Sequence, residues 1–288
     1  MLISDAEQAT LQRLGATVVA SPELTKFSLP SGHLRILGHL PSAPGLAIVG
    51  ARTADAYGRE LAARIATSAA RRGVSVISGG AFGIDAAAHE AALASGGHTT
   101  VVLGSGLDLP APATHRGLFA RVVAAGGAVV TPFACGQAAT RWTFPRRNPW
   151  IAGLARAVVV VQANTQSGSL QTARAALAAG IPVFAVPGPL DSPLHAGCHL
   201  LVEAGARLLT GVEGWAGAVP LPVDDRAPSE GLALWRAAGV EARPLAELAQ
   251  AAGLSPVEAL GLATTLELDG WLRAAPGGRF ARARPEEV

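Results

Sequence analysis

The stretch "VSVISGGAFGIDAAAHEAAL", residues 74–93, joins a β-branched run, a glycine-rich turn and an alanine-rich helical pattern. A strand that passes through the glycines at 79, 80 and 83 into a helix leaves backbone N–H groups without partners inside that helix. Such groups at a helix N-terminus attract anions. We therefore expect this turn to hold a phosphate at the carboxyl end of a buried parallel strand.

The same succession of strand and helix recurs along the chain. Short apolar runs that predict buried parallel strands lie at residues 46–49, 74–77, 100–103, 128–130, 158–161 and 183–186. Patterns typical of helices lie between them, at residues 59–72, 85–95, 116–125 and 170–179. This alternation predicts an α/β fold with a doubly wound, mostly parallel sheet, and it places the binding crevice at the carboxyl ends of the strands.

Composition excludes several classes of protein. With 288 residues, 50% of them hydrophobic, the chain is long enough for one sizeable core and a small second domain. Its apolar runs are too short for a membrane span, and the first ten residues carry acids where a signal peptide carries cations. Two cysteines, Cys135 and Cys198, fit a reducing compartment. We therefore expect a cytoplasmic protein with no membrane partner.

The basic residues are almost all arginine. Lys26 is the only lysine and lies outside any glycine-rich loop, which excludes a P-loop ATPase. Residues 46–213 carry 13 arginines against 8 acids, whereas residues 228–288 carry 6 against 8. The predicted sheet domain is therefore basic and the C-terminal part acidic.

Glycines, arginines and one aromatic ring follow the predicted strands. Arginine can hold two phosphate oxygens at once, so these strand ends are suited to oxyanions. The residues concerned are Gly50, Ala51, Arg52, Ser78, Gly79, Gly80, Phe144, Arg146, Arg147, Asn148, Ser167 and Gly168.

Two kinds of nucleotide site could use the same strand ends. The first strand is followed by "GARTADAYG", which lacks G-x-G-x-x-G, so a bound NAD is not expected. A phosphoribohydrolase-like enzyme remains the alternative, because glycine turns also hold ribose phosphates, and Asp85 and His89 could form its acid–base pair. We favour Asp85 as a helix cap and His89 as a polar residue on an alanine face. We therefore predict no catalytic residue.

The segment "HAGCH", residues 195–199, is similar to a metal-ligand cluster. No matching His/Cys pair accompanies it elsewhere, so we expect neither zinc nor another cofactor.

Five ordered motifs carry a family resemblance: "LAIVGAR", "SGGAFGIDAAAH", "VLGSGLD", "FPRRNPWIAGLA" and the segment beginning "QSGSLQTARAALAAGIPVFAVPGPLD". Over about residues 34–213 the chain resembles the DNA-processing protein DprA (Smf) family. The resemblance implies an extended Rossmann-like domain that binds single-stranded DNA, forms a homodimer and loads the RecA recombinase in natural transformation, without catalysis. It implies that the twelve strand-end residues named above contact the DNA, since single-stranded nucleic acid is bound by a positive groove together with rings on which bases stack. The motifs do not distinguish a role in DNA uptake from one in recombinational repair.

The chain departs from the family pattern at several positions. Thr131 stands where the family usually has an acid, Pro149 replaces a frequent arginine, and Gln162 replaces a frequent glutamate. Residues 1–45 form an N-terminal extension with no clear SAM-like domain, in which residues 33–40 are expected to add an edge strand. The apolar stretch at residues 198–209 could serve a dimer interface or the core.

A second unit is expected after residues 46–218 and the proline-rich linker 219–231. Residues 232–288 predict a helix, a tight turn at Gly253, a second helix over 255–268 and a hairpin around 276–278, which together form a winged helix-turn-helix. The second helix carries Glu258 and Glu267 but no cation, which disfavours a transcription regulator that reads duplex DNA. We favour a protein-contact or accessory role; DNA binding through Arg279, Arg282 and Arg284 on the hairpin is the alternative.

Overall fold

The computed structural model describes residues 3–24, 27–219, 231–239 and 241–283. The chain divides into two compact units, Met1–Pro222 and Val223–Val288. The division falls within the predicted linker. Residues 220–230 of that linker lie outside the described residues, as do Lys26 and Arg284.

The larger unit alternates strands and helices. In chain order its elements are α1 (Asp5–Leu14), β1 (Thr17–Ala20), β2 (His33–Gly38), β3 (Gly45–Val49), α2 (Ala56–Arg71), β4 (Val76–Ser78), α3 (Ile84–Ala94), β5 (Thr99–Val102), α4 (Arg116–Ala124), β6 (Ala128–Thr131), α5 (Thr143–Leu154), β7 (Ala155–Val160), α6 (Ser169–Ala178), β8 (Val183–Ala185), α7 (Ala196–Glu203) and β9 (Arg207–Leu208). Each predicted strand and helix overlaps an observed one.

All nine strands belong to one sheet, in the order β1-β2-β6-β5-β4-β3-β7-β8-β9. The seven strands from β6 to β9 in this order each run parallel to their neighbours. β2 pairs antiparallel with β6, and β1 pairs antiparallel with β2. The strand order reverses between β3 and β7, and in such a sheet the crevice for a ligand opens at the carboxyl ends of those strands. The predicted α/β fold is thus confirmed.

The N-terminal residues are part of this sheet and do not form a separate extension. β2 was expected at the edge, but β1 pairs on its outer side, with Val18 opposite Arg35. Neither α1 nor β1 was predicted, because each is short and has only a weak apolar pattern.

Helices cover both faces of the sheet because side chains alternate along each strand. On β3, Leu46 and Ile48 pack into a core with α2 and α3, whereas Ala47 and Val49 pack into a core with α5, α6 and α7. A third core joins α4 and α1 to the β5 and β6 region, and includes Phe119. The carboxyl edge of the sheet is therefore held rigidly from both sides.

Four residues of the apolar stretch at residues 198–209 belong to the core of this unit. Cys198, Leu201, Ala206 and Leu209 are buried there, while Leu200 and Leu208 remain exposed.

The smaller unit contains α8 (Leu232–Ala237), β10 (Arg243–Pro244), α9 (Leu245–Ala252), α10 (Pro256–Leu268), β11 (Leu272–Ala275) and β12 (Arg279–Arg282). Gly253 ends α9 with a φ of 69°, and Ser255 begins α10 with a capping box that includes Glu258. The strands form an antiparallel sheet in the order β10-β12-β11. The helices, the turn and the hairpin lie where the sequence predicts them.

The outer face of α10 is apolar and exposed. Val257 and Leu268 are 82% and 83% exposed, and Leu260 lies on the same side. A basic side chain is absent from the whole helix.

In the part of the chain that the structure describes, no helix combines the length and the apolar character that crossing a bilayer requires.

Candidate nucleic-acid interface

The loops after β3, β4 and β5 meet at the carboxyl edge of the larger unit, together with the start of α5. Gly83 has a φ of 75°, and a Cβ atom there would collide with the carbonyl oxygens of Ala51 and Arg52. The turn after β4 therefore lies directly against the loop after β3, and only glycine permits this approach.

The glycine-rich turn is occupied by a carboxylate of the same chain. Oδ2 of Asp85 accepts the N–H of Gly79 at 3.1 Å and the N–H of Ala81 at 3.2 Å. Ser78 is buried and donates its hydroxyl to the carbonyl oxygen of Ile48 at 2.6 Å. The N–H groups of Gly79 and Ala81 thus have a partner within the chain, and the phosphate that we expect at this turn stays a prediction.

Asp85 lies in the first turn of α3 but does not cap it. Its carboxylate reaches back to the preceding turn, so its expected role as a cap is corrected. Burial raises the pKa of Asp85, and the nearby positive charge of Arg147 acts against that rise.

His89 is buried one helical turn after Asp85. Its Nδ1 lies 2.7 Å from the hydroxyl of Thr99, and burial lowers its pKa to about 3. His89 is therefore neutral and belongs to the interior, as expected of a polar residue on the packed face of α3.

Arg147 braces the turn from the side of α5. It is 4% exposed, and its Nη1 donates to the carbonyl oxygen of Gly79 at 2.7 Å and also to that of Val102. Burial lowers its pKa to about 10, with Asp85 acting in the opposite direction, so Arg147 remains a cation at neutral pH. The guanidinium is therefore bonded inside the protein, and the expected contact of Arg147 with DNA stays a prediction.

Asn148 is also a structural residue. It is buried, its Oδ1 accepts from Nε of Arg147 at 3.2 Å, and its Nδ2 donates to the carbonyl oxygen of Gly168 at 3.1 Å. The side chain thus ties α5 to the loop before α6, where the hydroxyls of Ser167 and Ser169 lie 2.7 Å apart.

Arg52 and Phe144 form the centre of the exposed edge. The guanidinium carbon of Arg52 lies 4.7 Å from the centroid of the Phe144 ring. The ring also packs on Gly104, where a Cβ atom would lie 2.8 Å from it. Phe144 therefore contacts both Gly104 and Arg52, and the guanidinium over its ring is exposed.

Two further arginines lie over aromatic rings nearby. Arg146 is exposed with its guanidinium 5.8 Å from the ring of Phe133, and Arg141 lies 4.6 Å from the ring of Trp142, which is 66% exposed. The sequence analysis missed Arg141 and Trp142, although only Thr143 separates them from the "FPRRN" segment at residues 144–148. The edge thus carries three guanidinium groups, each placed by an aromatic ring.

The predicted contact residues separate into two groups by exposure. Those with exposed or half-buried surface are Gly50, Arg52, Phe144, Arg146, Ser167 and Gly168, and those that are buried are Ala51, Ser78, Gly79, Gly80, Arg147 and Asn148. The N–H of Ala51 is used as well, since it donates to the carbonyl oxygen of Gln162 at 2.7 Å.

Gln162, which departs from the family pattern, contacts Asp55 at the start of α2. Its Nε2 donates to Oδ1 of Asp55 at 2.9 Å, and that same oxygen caps the helix by accepting the N–H of Gly58 at 2.7 Å. A glutamate here would face the Asp55 carboxylate, so the amide suits this capped arrangement.

The residues of the "HAGCH" segment make local contacts. Nδ1 of His195 lies 3.1 Å from the Ser192 hydroxyl, Nε2 of His199 lies 3.1 Å from the carbonyl oxygen of Gly188, and Cys198 is buried. Among the described residues, no three His, Cys, Asp or Glu side chains are grouped so that they could hold a metal ion.

Several known proteins are similar to this chain. A putative DNA processing protein DprA of Mycobacterium tuberculosis is 41% identical over 244 residues, which cover 80% of this chain. The chain spans only 62% of the length of that relative. Protein Smf of Escherichia coli is 38% identical over 280 residues, covering 91% of this chain and 75% of Smf.

Two solved structures share the fold. The DNA processing protein A of Streptococcus pneumoniae has a TM-score of 0.64 and 31% identity, and the match covers 74% of this chain and 78% of that one. The DNA processing protein A of Helicobacter pylori, reported for its unique single-stranded DNA binding mode, has a TM-score of 0.62 and 24% identity, covering 70% and 94%. The family described as DNA recombination-mediator protein A matches residues 22–219. As the motifs predicted, the chain belongs to this family, which includes the DprA and Smf proteins.

Proposed function

We propose that this chain binds single-stranded DNA along the carboxyl edge of its larger unit and delivers it to the RecA recombinase. The observation that carries the proposal is the stack of Arg52 on Phe144 at 4.7 Å, at the crevice where this sheet topology binds ligands. The H. pylori relative, whose structure is reported for single-stranded DNA binding, supports the same class of ligand.

The chemistry of the edge favours a single strand over a duplex. Guanidinium groups bind phosphates, and their planar faces also stack on bases that are not paired. Arg52, Arg141 and Arg146 offer both properties because a ring orients each of them. Bases inside a duplex are stacked on one another and would not reach these planes.

The comparison that tests this function uses one strand and its duplex. Fluorescence anisotropy with a labelled oligonucleotide, alone and annealed to its complement, is expected to show tighter binding of the single strand. Equal or tighter binding of the duplex would contradict the proposal.

Delivery to the recombinase is tested separately. Addition of this chain is expected to shorten the delay before RecA begins DNA-dependent ATP hydrolysis on a single strand, and Arg52→Ala is expected to remove that effect. A protein that binds the strand but leaves the delay unchanged would be a DNA-binding protein without the loading role.

The position of Asp85 does not favour the alternative, a phosphoribohydrolase-like enzyme. Asp85 is buried and engaged with the N–H groups of Gly79 and Ala81, so it does not face a glycosidic bond. We propose binding without catalysis. Release of a free base from nucleoside monophosphates, lost in Asp85→Asn, would contradict this.

The smaller unit is assigned an accessory role through protein contact, as a proposed winged helix. Its α10 presents apolar side chains and no cation, whereas binding to duplex DNA requires neutralisation of phosphates. The side chain of Arg279 is engaged with the carbonyl oxygen of Ala242, and Arg282 with that of Trp235. Arg284 lies outside the described residues.

A further inference from the structure

Phe82 is an exposed ring in the turn between β4 and α3. Its side chain is 48% exposed, and it lies outside the three cores of the larger unit described above. The next residue, Gly83, packs on the carbonyl oxygens of Ala51 and Arg52. Phe82 thus projects from the same edge as Arg52, beside the loop that carries it.

The ring is supported by an aromatic series that leads into the core. His115 meets Phe82 edge-on, with centroids 4.5 Å apart and planes at 64°, and the buried Phe119 lies behind His115 at 6.2 Å. Nδ1 of His115 is 2.9 Å from the carbonyl oxygen of Gly80. Because a carbonyl only accepts, Nδ1 carries the proton, and this bond fixes the imidazole against the turn.

The turn itself is rigid. Gly80 has a φ of 71°, and Asp85 holds the N–H groups on either side of it. An apolar ring that is exposed on a mobile loop would lose much of its binding energy in becoming ordered, whereas Phe82 is already placed.

Phe82 differs from the other rings of the edge. Phe144, Phe133 and Trp142 each have a guanidinium over them, and Phe144 is closed on its second side by Gly104. In the described part of the chain no guanidinium lies over Phe82. The exposed part of its ring is therefore not covered by a cation and is available to a planar ligand.

We propose that Phe82, positioned by His115, is a base-stacking subsite for an unpaired nucleobase next to the one at Arg52. The inference rests on the proposed binding of single-stranded DNA and extends it to a second contact of different chemistry. Arg52 contributes charge, whereas Phe82 contributes an uncharged plane that accepts any base, since every base has a π face.

The test separates bases from phosphates. The full-length chain is titrated with an oligothymidylate and with an abasic strand of the same length, both labelled for anisotropy. Phe82→Ala is expected to weaken binding of oligothymidylate by about tenfold and to leave binding of the abasic strand unchanged. Phe82→Trp should restore or increase the affinity, and Phe82→Leu should restore only part of it.

A stacking event also has its own optical signature. A strand that carries a fluorescent base analogue is expected to lose fluorescence on binding to the wild type and to lose less of it on binding to Phe82→Ala. Leu268→Ala, which shortens an exposed side chain on the smaller unit, is the matched control and should behave as the wild type.

Three results would overturn the subsite. Unchanged affinity of Phe82→Ala for oligothymidylate would show that no base stacks there. An equal loss for the abasic strand would assign Phe82 a structural role. A wild-type chain that binds neither strand would overturn the proposed function, and the subsite with it.

Discussion

Nη1 of Arg147 donates to the carbonyl oxygen of Gly79 at 2.7 Å, and this bond joins α5 to the glycine-rich turn across the edge of the sheet. A Cβ atom at Gly79 would lie 2.6 Å from the same guanidinium. The glycine therefore makes room for an arginine of its own chain, which supports the surface that Arg52 and Phe144 present.

Substitution of Arg147 should lower the stability of the protein much more than substitution of its neighbour Arg146. Arg147→Ala removes a buried cation and leaves the carboxylate of Asp85 without it, so we expect a loss of about 3–5 kcal/mol in the free energy of unfolding. Arg146→Ala, at an exposed site, should change stability by less than about 0.5 kcal/mol. Urea unfolding followed by tryptophan fluorescence measures both, and equal effects of the two substitutions would contradict the assignment.

The salt dependence of binding should identify the phosphate contacts. Arg52→Ala and Arg146→Ala are each expected to weaken binding to unrelated single strands and to reduce the slope of log K against log salt by about 0.7 per lost contact. Arg156→Ala is the control, because Arg156 is exposed at the opposite end of β7. Normal affinity and an unchanged slope for either variant would show that the substituted arginine does not contact a phosphate.

His89 should make the fold sensitive to acid. Its folded pKa of about 3 lies below the ordinary 6.5, so between these values the unfolded chain binds a proton that the folded chain does not. Stability should therefore fall as pH decreases from 6.5 towards 3, by up to about 1.4 kcal/mol per pH unit from this group. His89→Gln should flatten this dependence in urea unfolding. An identical pH profile for the variant would mean that His89 is protonated within the fold.

Assembly should depend on the larger unit alone. A flexible strand bound at two sites on one particle gains affinity through effective concentration, which favours the homodimer that the family resemblance implies. Residues 1–218 are expected to dimerise in light scattering and to retain affinity for single strands. If the fragment is a monomer and still binds single strands normally, two sites on one particle are not needed for affinity. If it is a dimer that no longer binds, the DNA site lies in the smaller unit.

Sequence patterns predicted most of the fold because β-branched runs and alanine-rich helices mark the sheet and its cover directly. They did not predict which way Arg147 points. Successive helix residues are about 100° apart, so the side chains of Arg146 and Arg147 point in different directions. Residues 147, 150, 151 and 154 are buried on one side of α5, and that spacing was available in the sequence.

The role of Asp85 could not be predicted from local pattern. An acid in the first turn of a helix is ordinarily a cap or a favourable charge near the helix dipole. Here the chain reverses so sharply at Gly80 and Gly83 that the carboxylate reaches the preceding turn. The exposure of Phe82 depends on the same reversal, and composition alone contains no sign of it.

The N-terminal helix also reaches this edge through a buried ion pair. Oε1 of Glu7 lies 2.8 Å from Nε of Arg35 and accepts the N–H of Cys135 at 3.1 Å, while Nη1 of Arg35 donates to the carbonyl oxygen of Pro132 at 3.1 Å. Both charged residues thus fasten the loop that carries Phe133, the ring beneath Arg146.

This fastening decides where a recombinant fragment can begin. A fragment cut at residue 22, where the family match starts, would keep Arg35 and lose Glu7, leaving a buried cation without its carboxylate at a cost of about 3–5 kcal/mol. A boundary chosen from homology alone would therefore destabilise the loop that carries Phe133. Weak DNA binding by such a fragment would not show that the intact chain binds weakly.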